Sequence, residues 1–257
     1  MSNRALTPVV TLLTDFGLRD SYVAEMKAVV LTLVPAATIV DITHGVPPGD
    51  LRAGQYLLQR SWQRFPVGAV HVAVVDPGVG SSRRALAVSA GGHFFVGPDN
   101  GVLEAVLDDA VVVALPVGPE AAPTFHGRDV FAPAAAQLAL GASLGTLGSA
   151  VGDPVRMPLP VAERRGDTIA GQVVYVDRFG TLITNIPNTG LSLGATVLIG
   201  GGEHTAMLQR TFADVDSGYL VAFQGSGGTL EIAVRDRSAS QFTGMGVGGD
   251  VRVRPVR

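Results

Sequence analysis

The sequence predicts an N-terminal α/β domain with a mostly parallel sheet, followed by a C-terminal domain that is an antiparallel β-barrel. Three observations predict this arrangement. Strand-like and helix-like hydrophobic patterns alternate through the first part of the chain, whereas the last part contains only short strand-like segments broken by glycine. With 47% hydrophobic and 16% charged residues, the 257-residue chain can form large buried cores.

The first five segments alternate between strand and helix. The first strand is a continuous apolar run that ends in a polar residue, and the first helix has its apolar residues on one face. Strands joined through helices form right-handed crossovers and a parallel sheet. The predicted order is strand 9–15, helix 20–33, strand 38–41, helix 51–62 with Asp50 as its N-cap, and strand 69–76.

Further strands are predicted at 85–89, 93–96 and 110–115, and a helix is predicted to begin after Asp129. The stretch 130–152 carries no charge and is long enough to span a bilayer. It is nevertheless rich in glycine, alanine and serine, and it contains a proline and a glutamine. We therefore expect a buried helix followed by a loop of small residues, and no association with a membrane.

The predicted domain boundary lies in a stretch rich in proline and charge. This stretch, residues 157–167, reads as a linker between an N-terminal α/β domain at 1–156 and a C-terminal domain at 168–257. The C-terminal domain alternates apolar and polar residues in short runs, and it has no extended helical pattern. A small antiparallel sheet closed into a barrel satisfies that pattern.

Charge and cysteine content exclude several classes of function. The net charge of −3 gives no general attraction to nucleic acid or to an anionic membrane. Because the chain has no cysteine, disulfides, thiolate nucleophiles and cysteine-bound metals are excluded. The first residues lack a charged region followed by a long apolar run, so no secretory signal is predicted and the expected location is the cytoplasm.

Three aspartates, Asp15, Asp41 and Asp76, end predicted strands at the edge where open parallel sheets bind ligands. A single aspartate there is commonly a helix cap or a turn residue. Three together favour a site that holds a divalent cation, holds a hydroxylated ligand such as ribose, or transfers protons. A metal site needs further carboxylates or histidines at close spacing, which the sequence lacks, so no metal is predicted.

An arginine and a histidine are candidates to act with Asp76. The loop after Asp76 is rich in glycine but lacks the spacing of a phosphate-binding loop. Arg83 follows seven residues later and either holds the Asp76 carboxylate in its charged form or is a solvated loop residue. His126 precedes a predicted helix and is either a cap or packing residue or the best candidate for proton transfer near neutral pH.

The C-terminal part offers an aromatic and polar set. Asp177 and Phe179 interrupt a good strand pattern, which is typical of a hairpin turn or of an aromatic platform beside a polar contact. Phe212 has a similar setting. The turn GSGG, residues 225–228, either is only a hairpin loop or presents backbone N–H groups to a carboxylate.

An ordered set of motifs over essentially the whole chain resembles the S-adenosyl-L-methionine hydroxide adenosyltransferase family, whose relatives are the fluorinases and chlorinases. Each motif alone is weak, but their order and spacing together are specific. They are TDFGLRDSYV (14–23), DITHGVPPGD (41–50), VDPGVGSSRR (75–84), FVGPDNG (95–101), TFHGRDVFAPAAA (124–136), VDRFGTLITNI (176–186) and GTLEIAV (228–234).

The resemblance implies an N-terminal α/β domain joined to a C-terminal β-barrel. It implies a homotrimer in which each active site lies between the N-terminal domain of one subunit and the C-terminal domain of the next. The implied reaction is attack of water or hydroxide at C5′ of S-adenosyl-L-methionine, which gives adenosine and L-methionine without a metal or a separate cofactor.

The resemblance also implies roles for residues of this chain. The catalytic set is Asp76, Arg83 and His126, with the proton acceptor left open between the carboxylate and the imidazole. The substrate-binding residues are Asp15 at the ribose, Asp20 at the methionine ammonium, Phe179 and Phe212 around adenine, Ser226 near the methionine carboxylate, and Asp177 in the same turn as Phe179.

Three positions depart from the pattern of the family. Thr181 and Arg235 each stand where relatives commonly have asparagine, and Gly227 stands where halogenating relatives have arginine. The resemblance implies that Thr181 alters recognition of the adenine edge and that Gly227 alters recognition of the methionine carboxylate, while the catalytic set is unchanged.

Two other functions compete with hydrolysis. One is halogenation, which is disfavoured because Gly127 and Val79 stand where the fluorinase has serine and threonine, and because the Asp76 charge would repel a halide. The other is non-catalytic binding of adenosine or S-adenosyl-L-methionine, which retention of all three catalytic positions argues against.

Overall fold

The computed structural model describes residues 7–254, and the chain divides into two compact units between Pro158 and Leu159. The first unit is a seven-stranded sheet with helices, and the second is a β-barrel. This α/β-plus-barrel architecture confirms the predicted fold class. The strand Glu163–Arg165 lies inside the stretch that the sequence predicts as a linker.

The sheet of the first unit has five strands that share one direction. Strands β2, β1, β3 and β5 are parallel neighbours in that order, and β4 is antiparallel to β5. Because β6 is antiparallel to β4, it runs with the first four, and β7 opposes it. The strands are β1 Val9–Thr14, β2 Thr38–Thr43, β3 Val70–Val74, β4 Ala85–Ala90, β5 His93–Pro98, β6 Val111–Leu115 and β7 Ser149–Ala150.

Three α-helices accompany this sheet: α1 Tyr22–Leu33, α2 Leu51–Ser61 and α3 Ala132–Ala139. Helix α2 begins as predicted, because the Asp50 carboxylate accepts a hydrogen bond from the Ala53 amide at 2.9 Å. Helix α1 buries apolar side chains at helical spacing and contacts α3, which is rich in buried alanine. Small side chains on α3 allow the two helices to approach closely.

The stretch 130–152 contains the predicted buried helix, α3, and small residues follow it, but two of them form the strand β7. The helix does not begin after Asp129, however. A π-helical turn, Gly127–Phe131, comes first and runs directly into α3. Such turns widen the hydrogen-bond ring by one residue, and they occur often at functional sites. In residues 7–254 no helix is long and apolar enough to cross a membrane.

The second unit is a closed barrel of seven strands. They follow the order β10, β14, β13, β12, β11, β15 and β9, and β9 pairs with β10 to close the ring. All neighbours are antiparallel except β12 and β13, which are parallel. The strands are β8 Glu163–Arg165, β9 Thr168–Val176, β10 Leu182–Pro187, β11 Thr196–Ile199, β12 His204–Gln209, β13 Leu220–Gln224, β14 Thr229–Val234 and β15 Asp250–Arg254.

The second unit also contains a short helix that the sequence did not predict, α4 Ala239–Thr243. The Ser238 hydroxyl caps it by accepting from the Gln241 amide at 3.1 Å, and Gly244 ends it with a positive φ of 68°. Five residues are too few to show helical periodicity, so caps were the only available signal.

A buried histidine pair joins the neighbouring strands β3 and β5 of the first sheet. His71 is fully buried, and its Nδ1 lies 2.8 Å from the Thr11 hydroxyl. Its Nε2 lies 3.2 Å from Nδ1 of His93, and its ring stacks on Phe95. Burial, helped by the charge that His93 can carry, lowers the pKa of His71 to about 3. This packing gives His71 a structural role.

This pKa predicts acid sensitivity of the fold. The unfolded chain binds a proton at His71 below about pH 6.5, whereas the folded chain excludes it until about pH 3. Stability from this group is therefore complete above pH 6.5 and is lost as pH falls. We expect urea unfolding to show a loss of about 2 kcal/mol between about pH 7 and about pH 5 that His71→Asn removes. Equal pH dependence of wild type and variant would contradict this assignment.

Candidate active site

An aspartate, an arginine and a histidine form one cluster beyond the end of β3. The Arg83 guanidinium donates from Nε to Oδ1 of Asp76 at 3.0 Å and from Nη2 to Oδ2. Nη2 also donates to Nδ1 of His126 at 2.9 Å. The side chains of Asp76 and Arg83 are only 4% and 9% exposed, and His126 is buried as well. Arg83 is therefore not a solvated loop residue.

The loop between Asp76 and Arg83 is shaped by its own hydrogen bonds and by a glycine. The Ser81 hydroxyl donates to the Gly78 carbonyl at 2.7 Å, and the Val79 amide donates to the Asp76 carbonyl at 3.2 Å. Gly80 has φ +77°, and a Cβ there would lie 2.6 Å from the Pro123 carbonyl oxygen. This close approach sets the Asp76 loop against the segment that leads to His126.

The contact with Arg83 fixes the tautomer of His126. A guanidinium can only donate, so Nδ1 of His126 accepts and the ring proton is on Nε2. Burial and the nearby positive charge of Arg83 lower the pKa of His126, although Asp76 and Asp129 act in the opposite direction. At neutral pH the ring is therefore neutral, with Nε2–H as a hydrogen-bond donor.

Asp15 lies at the same edge of the sheet. It follows β1, and its Oδ2 accepts from the Gly49 amide at 2.8 Å. A side chain on Gly49 would touch Pro77, the neighbour of Asp76, so the loops after β1, β2 and β3 meet here. Asp20 is exposed at the end of the loop after β1 and precedes Ser21, the N-cap of α1.

Asp41 does not belong to this cluster. It lies within β2 rather than at its end, opposite Leu12 of β1. Its carboxylate is bound by Lys27 at 2.6 Å and by Nε2 of His44 at 3.1 Å. The sequence pattern ended this strand too early, because Ile42 and Thr43 continue the strand beyond the acidic residue.

The two adjacent arginines, Arg83 and Arg84, have different tasks. Arg84 donates from Nε to Asp99 at 2.7 Å and from Nη1 to Asp153 at 2.7 Å. Asp99 in turn accepts from the Val155 amide at 2.7 Å. Successive side chains before a strand point to opposite sides, so one arginine enters the cluster and the other anchors the end of the first unit. The role of Arg84 was not predicted.

The second unit contains a cavity of about 870 Å³ that collects most of the predicted binding residues of the C-terminal part. Phe179 and Phe212 line it and are 75% and 46% exposed, so both offer ring surface to a ligand. The remaining lining residues are Asp177, Thr181, Thr211, Ala213, Glu231, Ala233, Val234, Arg235, Asp236, Arg237 and Ser238.

Asp177 builds the turn that presents Phe179. Its Oδ1 accepts from the Phe179 amide at 2.9 Å and from the Thr181 amide at 2.8 Å. Gly180 completes the turn with φ +82° and packs against Ser238. Because both bonds use Oδ1, Oδ2 of Asp177 is the atom through which this residue can contact a ligand.

Ser226 is not among the residues that line the cavity; it is exposed in the GSGG turn. Within that turn the Gly225 amide donates to the Thr229 carbonyl at 2.9 Å, and the Gly228 amide donates to the Gly225 carbonyl at 3.1 Å. The Asn188 side chain also donates to the Gly225 carbonyl at 2.9 Å. Asn188 thus supports the turn, and no sequence signal separated it from an ordinary loop residue.

Glu231 is one of the cavity residues that sequence reasoning passed over. It lies in the motif GTLEIAV and lines the cavity, but an acidic residue in a strand of alternating polarity is ordinarily expected to face solvent. Among residues 7–254, no group of three or more histidine and carboxylate side chains is placed to hold a metal ion.

Comparison with known proteins gives matches over nearly the whole chain. The SAM hydroxide adenosyltransferase N-terminal domain matches residues 10–148, and the C-terminal domain of the same family matches residues 171–252. The (R)-S-adenosyl-L-methionine hydrolase of Salinispora arenicola is 41% identical, with 97% of this chain and 98% of that protein covered. The hydrolase of Thermus thermophilus is 42% identical, with 95% and 98% covered.

Relatives with another activity and solved structures also match. A fluorinase of Nocardia brasiliensis is 28% identical, with 96% of this chain and 97% of that protein covered. The crystal structure of an uncharacterized conserved protein of Thermotoga maritima superposes with a TM-score of 0.89 at 34% identity, covering 95% of this chain and 99% of that one. With both domain models matched in order and relatives above 40% identity over nearly the full length, this chain belongs to the S-adenosyl-L-methionine hydroxide adenosyltransferase family.

Proposed function

We propose that this protein hydrolyses S-adenosyl-L-methionine to adenosine and L-methionine. The observation that carries the proposal is the nearly buried cluster in which Arg83 holds Asp76 and His126 together. Relatives at about 40% identity are (R)-S-adenosyl-L-methionine hydrolases, and each is covered almost completely by this chain.

The reaction needs an oriented nucleophile more than an acid. Water attacks C5′, a C5′–oxygen bond forms, and the C5′–sulfur bond breaks with its electron pair remaining on sulfur. The sulfonium thereby leaves as a neutral thioether, so it requires no proton. The enzyme must supply a held water, an acceptor for the proton that this water loses, and a site from which bulk solvent is excluded.

The geometry favours Asp76 as the proton acceptor. The lone pair of neutral His126 is already bound by Arg83, so this histidine has no free basic nitrogen. Asp76 keeps further lone pairs on both oxygens after binding Arg83. In this proposal Nε2–H of His126 orients the water, Asp76 accepts its proton, and Arg83 holds both groups in register.

Substrate contacts follow the predicted roles. Asp15 binds the ribose hydroxyls, which suits a half-buried carboxylate at the sheet edge. Asp20 binds the methionine ammonium, and Phe179 and Phe212 stack on adenine with Asp177 in the same turn. The proposed role of Ser226 is to hold the methionine carboxylate.

We further propose a homotrimer in which the Asp76 cluster of one subunit and the barrel cavity of the next share one substrate. Support comes from Phe179, which is 75% exposed in a single chain although its proposed ligand requires a covered site. The cytoplasmic location predicted from the sequence stays a prediction.

Hydrolysis is a better fit than halogenation. A Cβ on Gly127 would lie 3.1 Å from Sδ of Met26 and 3.3 Å from the Phe125 ring, so this position leaves little room for a hydroxyl that could hold a halide. The Asp76 carboxylate also repels an anion at the place where a nucleophile would sit.

The test is product analysis in water enriched in heavy oxygen. Purified protein is incubated with S-adenosyl-L-methionine in halide-free buffer, and products are separated by chromatography with mass detection. Adenosine that carries the heavy oxygen, together with methionine, is the expected result. Binding without adenosine would favour the non-catalytic alternative, and a 5′-halogenated product on addition of halide would favour halogenation.

A further inference from the structure

A chain of polar and charged side chains joins the segment after β1 to the segment that carries His126. We call it the latch; its residues are Ser21, Glu25, Arg128 and Asp129. The Arg128 fork binds Asp129 at 2.6 Å and 2.9 Å, and its Nη1 donates to Glu25 at 2.9 Å. Glu25 also accepts from the Ser21 hydroxyl at 2.6 Å. These bonds join residues 103 positions apart in sequence.

Both ends of the latch adjoin residues of the candidate site. Ser21 follows Asp20 and is the N-cap of α1, and Arg128 lies in the π-helical turn two residues after His126. Asp129 additionally accepts from the Ala122 amide at 2.9 Å, and this bond fixes the segment that precedes His126. Neither end of the latch belongs to the Asp76 cluster itself.

An aromatic group spans the same gap. Phe16, Tyr22 and Phe125 pack edge to face, with ring centroids 5.3 to 6.0 Å apart. Arg128 lies over the Phe125 ring, with Cζ 4.9 Å from its centroid. The arginine is therefore oriented by a ring on one side and by carboxylates at its edge, which a lysine could not reproduce.

The exposure of the latch side chains indicates that the latch positions parts of the site rather than stabilising the fold. The side chains of Arg128 and Glu25 are 35% and 36% exposed, and ion pairs in contact with solvent add little to folding. A network that adds little stability but joins two parts of a site has its main effect on geometry. Misplacement by about 1 Å costs catalysis on the order of 100-fold when reacting groups must align.

We propose that Arg128 is a positioning residue that, through Glu25 and Ser21, holds the Asp15–Asp20 loop in register with His126. The proposal rests on the hydrolase function proposed above. Arg128 touches neither the substrate nor the reacting water. It sets where the substrate lies relative to the water that His126 and Asp76 hold.

The latch also has an electrostatic consequence at His126. The charged groups that face this ring are Arg83 and Asp76 from the loop after β3 and Asp129 from its own turn. Asp129 raises the pKa of His126, and Arg128 offsets that charge by pairing with it. Without the arginine, the acid limb of the kcat/KM profile is expected to move to higher pH.

The experiment compares Glu25→Gln, Arg128→Lys and Arg128→Gln with wild type, using S-adenosyl-L-methionine turnover, the pH profile and the melting temperature. Glu25→Gln should raise KM about tenfold, and Arg128→Lys should lower kcat/KM about tenfold or more. The double variant Glu25→Gln/Arg128→Lys should be no worse than Arg128→Lys, since the residues act as one unit. Arg128→Gln should show the shifted acid limb.

Arg156→Lys is the matched control, because Arg156 also binds a carboxylate, that of Glu104, through both Nε and Nη2 in the same unit. It should keep wild-type kinetics even if it melts earlier. Unchanged kcat/KM in the latch variants, additive losses in the double variant, or an equal loss in Arg156→Lys would overturn the proposal. Absence of turnover in wild type overturns the proposed function instead. In that case the affinity of each variant for S-adenosyl-L-methionine is measured by calorimetry. If Glu25→Gln binds this compound as tightly as wild type does, the proposed role of the latch is overturned.

Discussion

Asp76→Asn is expected to lower kcat by about 10² to 10⁴ while leaving the affinity for S-adenosyl-L-methionine within a few fold of wild type. The amide keeps an oxygen that can accept from Nε of Arg83, so the loop retains one of its two arginine bonds. It cannot accept the proton of water near neutral pH, however. Single-turnover kinetics and calorimetric binding separate these two effects.

Removing this charge also weakens the fold, so a matched control is needed. Breaking a buried ion pair from one side typically costs about 3–5 kcal/mol, because the partner charge is left unpaired. Asp99→Asn removes a buried carboxylate charge close to the cluster, although its partner Arg84 is 35% exposed and also pairs with Asp153. It should melt earlier yet keep its turnover. If Asp99→Asn loses turnover as strongly as Asp76→Asn, the loss reflects disturbed folding and not a lost proton acceptor.

The sequence was sufficient for the fold class because its signals are local. Apolar runs, the Asp50 cap and the glycine-broken strands of the barrel each depend on neighbours within about ten residues. Membership in the family was also readable from ordered motifs, and the comparisons confirm it. Elements without periodicity, such as the five-residue α4, could not be predicted in this way.

The candidate site was only partly predictable, because its geometry depends on contacts between distant segments. The short spacing between Asp76 and Arg83 indicated that the two side chains could meet. No pattern in the neighbouring residues indicated that His126 binds the same guanidinium. The same holds for Arg84, whose partner Asp153 is 69 residues away, and for the contact of Arg128 with Glu25. Asp41 was misplaced because the end of a strand is set by pairing with a neighbour, which the sequence does not show.

Two substitutions of His126 are expected to differ in a way that identifies the proton acceptor. In glutamine the terminal amide reaches the position of Nε2 and can still orient water, whereas in asparagine the amide lies near Nδ1 and can only contact Arg83. If Asp76 accepts the proton, His126→Gln should retain kcat within about tenfold, and His126→Asn should lose about 10² or more. Rates are compared near pH 7.5, where burial and Arg83 keep the wild-type ring neutral by lowering the pKa of His126.

The opposite assignment gives a different pattern. Neither amide can accept a proton, so if His126 were the base, both variants would fall to the same low rate. The wild-type arrangement argues against that result, because the basic nitrogen of the neutral ring already accepts from Arg83 at 2.9 Å. Acting as base through Nδ1 would require that bond to break and would place a second positive charge beside the guanidinium, which is unfavourable in a nearly buried site. Retained activity in His126→Gln alone would therefore assign orientation of water to the imidazole and acceptance of its proton to Asp76.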